Sequence, residues 1–157
     1  MQRRPVLIAG VAAALTGRAA FAHHGWSSFD TARPLYLEGT ARKVAWRNPH
    51  AELDLELPAE LALPADLARR AVPAQTAGVD AAKLLTQAQL PRRKDKVWHI
   101  ELAPISRMEA WKVAEIKPGD RLQMLGYTFA DEKGEPVMRV ELLFVGANAY
   151  GLRSSPA

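Results

Sequence analysis

Two adjacent histidines, His23 and His24, directly follow Ala20-Phe21-Ala22, and that junction defines the chemistry available near the N-terminus. Ala20 and Ala22 supply the two small residues that a signal peptidase reads. Cleavage after Ala22 would make His23 the first residue, with its α-amino group and imidazole forming one bidentate chelate. A terminal amine titrates at about 7.7–8.0 and histidine at about 6.5, so both can yield their protons to a divalent cation near neutral pH. Copper(II) heads the affinity order for nitrogen donors and accepts square-planar geometry. His50, in the turn Arg47-Asn48-Pro49-His50, is the candidate for a second imidazole, and His24 is an alternative ligand or a supporting group. The candidate metal ligands are therefore His23, His24 and His50, with copper the expected cofactor and zinc an alternative.

That chemistry presupposes export. Arg3 and Arg4 form a positive start, and Val6 to Leu15 is a short apolar run. The run is about half the roughly 20 residues that a membrane span needs, so residues 1–22 are expected to be a cleaved signal peptide and not an anchor. The twin arginine also suits a twin-arginine signal, so the route is either the general secretory one or that one. The expected location is the bacterial periplasm.

The leader also distorts the charge balance. The chain carries 21 Lys+Arg against 17 Asp+Glu, but Arg3, Arg4 and Arg18 lie in the leader, which has no acids. The remainder is close to neutral, which argues against nucleic acid as a partner. The absence of cysteine excludes disulfides, thiolate metal sites and c-type haem attachment. Residues 23–157 are of a size for one domain.

Alternation of apolar and polar residues then marks the strands that would carry the candidate ligands. Leu35 to Trp46 reads as a first strand, with an apolar phase change after Gly39 that suggests a bulge there. Ala51 to Leu57 points Leu53, Leu55 and Leu57 inward, and Val97 to Leu102 points Trp98, Ile100 and Leu102 inward. Pairing Leu53 with Ile100 and Leu55 with Trp98 sets His99 opposite Asp54, as a surface histidine–carboxylate pair. On that register His99 is about 13 Å from the strand end beside His50, too far to share a metal.

Ser106-Arg107-Met108-Glu109 has the form of a capping box for a helix of about two turns. The turn Lys117-Pro118-Gly119-Asp120 follows, and then a hairpin of Arg121–Phe129 and Val137–Val145, with Met138, Val140, Leu142 and Phe144 inward. Strand, strand, strand, helix, strand, strand is the order of a small five-stranded OB-like barrel with its helix between strands three and four. An open five-stranded sheet or an incomplete sandwich has the same order. Residues 58–96 form a Pro/Ala-rich insertion between strands two and three. It is expected to be partly mobile, with one short helix over Asp80–Leu90 capped by Asp80.

The segment 23–34 spans at most about 40 Å, and the first strand is about as long. If the segment doubles back along the strand, the terminus arrives near His50. Trp26 and Phe29 are the apolar side chains that would pin it. Trp46, Trp98, Trp111, Met108, Met124 and Met138 read as core residues. There is no Gly-x-Ser-x-Gly, no dinucleotide or phosphate loop and no histidine pair on a helix face, so a non-catalytic role is expected over the variant of a redox enzyme with a histidine-brace copper.

With these residues assembled, the chain resembles the domain of unknown function 6152 family of small exported bacterial proteins. The resemblance is carried by His23-His24-Gly25-Trp26 with Phe29-Asp30, Leu37-Glu38-Gly39-Thr40 and Trp46-Arg47-Asn48-Pro49-His50. It continues through Lys117-Pro118-Gly119-Asp120, Gly126-Tyr127 and Met138-Arg139-Val140-Glu141. It implies a small exported β-domain and no particular reaction; the insertion departs from the compact form. Two functions follow as expectations. One is a periplasmic metal-binding domain using the N-terminal histidine. The other is a metal-free OB-type module that holds a periplasmic partner protein or a small ligand, with no membrane anchor after processing.

Overall fold

The computed structural model describes residues 25–157; His23, His24 and residues 1–22, the expected signal peptide, lie outside the described residues. Six strands and two helices follow one another as β1 (Leu35–Ala45), β2 (Glu52–Glu56), α1 (Ala81–Gln87), β3 (Val97–Glu101), α2 (Ile105–Ala110), β4 (Arg121–Tyr127), β5 (Val137–Val145) and β6 (Asn148–Gly151). The strands are hydrogen-bonded in the order β3-β2-β1-β4-β5-β6, and a parallel β3–β5 pairing closes the first five into a barrel. This is the OB-like arrangement expected from the order of elements, with α2 between β3 and β4. The β2–β3 register is also as expected: Leu53 faces Ile100, Asp54 faces His99 and Leu55 faces Trp98.

Barrel closure requires the ladders to stagger. As a result Tyr127, Arg139, Glu101, Glu52 and Ala45 lie on one continuous rung across β4, β5, β3, β2 and β1. Tyr127 adjoins the start of β1, because Leu35 pairs with Gly126, whereas Ala45 is its end. One rung therefore joins the segment that precedes β1 to the loop that follows it. Inside the barrel, Leu35, Leu37, Leu53, Leu55, Trp98, Ile100, Met108, Met124 and Met138 are fully buried. Each such side chain contributes roughly 1.5–3 kcal/mol of hydrophobic stabilisation.

Several local expectations are corrected. The bulge of β1 lies at Arg42–Ala45, where Lys43 has a φ of 40°, and not at Gly39. Gly39 serves close approach instead, since a Cβ there would overlap the Glu56 carbonyl. Helix α2 is not closed by a capping box. Pro104 stands at its N-cap and Ser106 already lies within it, while the Pro104 carbonyl accepts from the N–H groups of Arg107 and Met108. Strand β6 has no counterpart in the sequence reading.

Strand β5 is buried along nearly its whole length. Its register against β4 slips between Leu125 and Gly126, leaving Glu141 extra. Met138, Val140 and Leu143 consequently belong to the barrel core. Leu142 and Phe144, expected inside, face a second cluster with Tyr36, Leu67, Leu85, Ala88 and Leu125. The insertion supplies that cover through α1 and the Leu67–Arg69 turn. Asp80 caps α1 as expected, accepting from the Lys83 N–H at 2.9 Å.

Candidate functional site

The outer face of the rung carries charge where the inner face is apolar. Arg139 on β5 donates through Nε and Nη2 to Glu101 Oε2 on β3, at 2.9 and 2.6 Å. Beside it, Arg153 donates through Nε to Glu141 Oε2 at 2.9 Å. Both carboxylates are buried, with side chains only 5% and 1% exposed. Burial pushes the Glu141 carboxyl above its ordinary value, against the opposing pull of Arg153 and Arg107. Its second oxygen, Oε1, is buried with no hydrogen-bond partner among the described residues. Tyr127 lies next to this pair, and burial together with Glu141 pushes its hydroxyl up to about 12.

The segment that leads into β1 lies across these pairs. Asp30 donates its N–H to the Thr128 carbonyl, Phe29 forms a bridge with Phe129, and the two rings stack at 5.2 Å. The Trp26 ring then lies 3.6 Å from the Arg153 guanidinium carbon and 5.3 Å from that of Arg139, with its edge toward Tyr127. A guanidinium over an indole face is worth about 0.5–2 kcal/mol, more when water is excluded. Two such contacts, on arginines already held by buried carboxylates, fix Trp26 only two residues after His24. The expected pinning by Trp26 and Phe29 is present. Gly126 lets β4 approach β5 closely here, because a Cβ there would overlap the Arg139 carbonyl.

Farther along the rung, Glu52 pairs with Glu101, and His50 lies two residues before Glu52. His50 is half-buried in the loop between β1 and β2, where the Asn48–Pro49 peptide is cis. His99 is on the same outer face. Its Nδ1 lies 3.6 Å from Asp54 Oδ1, as the register foretold, and its Nε2 lies 3.8 Å from Glu52 Oε2. The imidazole therefore leans along the strand toward the His50 end, which strand-length arithmetic alone did not convey. Among the described residues, no group of three or more His, Cys, Asp or Glu side chains is arranged to hold a metal ion. Of the three predicted ligands only His50 lies within them.

Sequence reasoning missed Glu101, Arg139, Glu141 and Arg153 as a unit. Its visible trace was the pair of charges inside Met138-Arg139-Val140-Glu141, an otherwise apolar strand. Their partners are 38 and 12 residues away and meet them only through barrel closure and the β5–β6 return.

A family model described as a family of unknown function, DUF6152, matches residues 11–65, and the match supports membership of that family. Those residues include the paired histidines, Trp26 and the Asn-Pro-His turn. No curated protein and no solved structure matches the chain. No described helix is long and apolar enough to cross a membrane.

Proposed function

We propose that this chain is an exported, periplasmic metal-binding domain that takes copper(II) at a processed N-terminus, with no reaction of its own. His23 supplies its α-amine and imidazole, His50 supplies a second imidazole, and His24 acts as an alternative ligand or support. The observation that carries this reading is the clamping of Trp26 between Arg139 and Arg153, on the rung that leads to Glu52 and His50. Arg139 and Glu52 are two strand spacings apart, or about 10 Å. Residues 23–25 can span about 10 Å when extended. The three residues ahead of Trp26 are thus long enough to cover the distance from Arg139 to Glu52, which stands two residues from His50. The donor set, an amine with neutral imidazoles and no thiolate, suits copper(II).

The test is a copper(II) titration of protein that begins at His23, beside the same protein carrying one extra residue in front. The extension separates the terminal amine from His23, and at least a tenfold loss of affinity is expected, about 1.4 kcal/mol or more. Equal, weak binding by both forms overturns the reading. His50→Ala is expected to weaken copper binding while leaving the unfolding transition in place.

A second reading rests on the outer face of β2 and β3, which OB barrels use to hold ligands. Glu52, Asp54 and His99 line it here, and a metal-free module would offer the two carboxylates to a basic segment of a periplasmic partner protein. Copper-independent capture of a lysine-rich peptide, abolished by Glu52→Lys, separates this reading from the first.

A further inference from the structure

The two ends of the insertion converge beyond the far end of the β2–β3 hairpin. They enclose a cavity of about 700 Å³ bounded by Glu56–Leu61 on one side and by Leu90, Pro91 and Arg93–Lys96 on the other. Its size lies within the roughly 300–1,000 Å³ typical of small-molecule sites. The floor is the seam between the two hydrophobic clusters. Leu57 packs on the barrel core, Leu90 on the second cluster, and Leu61 on both. Apolar side chains therefore reach solvent here between two strands of chain joined by the Leu57 N–H to Lys96 carbonyl hydrogen bond at 2.8 Å.

The charges around this floor are unbalanced in a useful way. Glu56 is bonded to Arg42, and Asp95 to Arg93, so both acids are already neutralised by arginines. Arg93 is further committed to the Glu132 and Gly134 carbonyls. Lys94 and Lys96, both exposed at the cavity wall, take part in no ion pair among the described residues. Glu60 is the remaining acid; the lining residues themselves sum to zero charge, but because Arg42 outside the lining holds Glu56, Lys94 and Lys96 face Glu60 alone.

We infer that this cavity binds a small amphiphilic carboxylate, its apolar body on Leu57, Leu61 and Leu90 and its carboxylate between Lys94 and Lys96. The site is at the opposite end of β2 from His50 and does not depend on metal binding. It also gives the insertion a role that a compact barrel lacks.

The probe is 4-phenylbutyrate, titrated into residues 23–157 and followed by backbone amide NMR shifts, with the neutral 4-phenylbutanamide as its partner. Shifts confined to residues 56–61 and 90–97 are expected, with the amide binding several-fold more weakly. The double variant Lys94→Glu/Lys96→Glu, at exposed positions, is expected to lose about tenfold in affinity. Ala59→Trp, which fills the mouth, is expected to abolish the shifts while leaving the fold intact. Absence of shifts at millimolar probe, equal binding of acid and amide, or unchanged binding by the lysine variant would each overturn the assignment.

Discussion

Trp26 shows how much of the anchoring depends on a single side chain. Neither of its arginine contacts is backed by burial of the whole indole, which remains partly exposed. Their strength comes from Arg139 and Arg153 being held rigidly by Glu101 and Glu141, so little side-chain entropy is lost when the ring stacks. Trp26→Ala removes both contacts and the edge contact to Tyr127. It is expected to lower stability by about 1–3 kcal/mol in urea denaturation. Trp26→Phe, which keeps an aromatic face of weaker cation affinity, should recover part of the loss. If Trp26→Ala unfolds at the wild-type midpoint, the ring rests on the arginines without holding anything. In copper titrations the proposed N-terminal site predicts weaker binding by the Ala variant as well, since the anchor three residues after His23 in sequence is lost.

At the level of elements, one carboxylate joins three segments that are distant in sequence. Glu132, in the loop between β4 and β5, accepts from Arg33 at 2.6 Å and from the backbone N–H groups of Arg92 and Arg93. Burial alone would raise its pKa, but these donors prevail and hold it at about 2. A carboxyl lowered in the folded state contributes stability that is complete above its ordinary value, about 4.3, and is lost as pH falls toward 2. Glu132→Gln is therefore expected to cost about 2–3 kcal/mol at pH 7. The gap from wild type should close between about pH 5 and pH 2 in acid titrations of stability. Glu141, raised by burial, works in the opposite sense, since its penalty is relieved on acidification. It is shared by both proteins and drops out of their difference. A gap that stays constant with pH would assign the cost to packing and not to charge.

The same scale explains what could be read in advance. Leu53/Leu55 against Trp98/Ile100 follow from a period of two with one buried face, and that pattern fixes register. Leu142 and Phe144 followed the same alternation but were misplaced, because the extra residue at Glu141 reverses the phase and the insertion covers the other face. Ser106 and Glu109 matched a local motif, yet Pro104 determines where the helix starts. Asn148–Gly151 carries turn residues and becomes a strand only because β5 offers it an edge.

For the whole molecule, β1, β4 and β5 act as a wall common to two cores. Leu35, Leu37, Met124 and Leu143 fill the barrel, while Tyr36, Leu125, Leu142 and Phe144 on the same strands fill the outer cluster beneath the insertion. Such sharing should make the insertion part of one cooperative unit and not an appended lobe. Leu85, 4% exposed on α1, gives the test. Leu85→Ala is expected to cost about 2–4 kcal/mol by leaving a cavity in the outer cluster. All four tryptophans lie outside residues 58–96, so indole fluorescence reports on the barrel and its leading segment and not on the insertion. If the two cores unfold together, Leu85→Ala shifts the tryptophan-reported urea midpoint as far as the midpoint seen by far-ultraviolet circular dichroism. An unmoved fluorescence transition, with a separate early step in circular dichroism, would show instead that the insertion detaches from an intact barrel. The carboxylate cavity would then open at sub-denaturing urea, before the Trp26 clamp is disturbed.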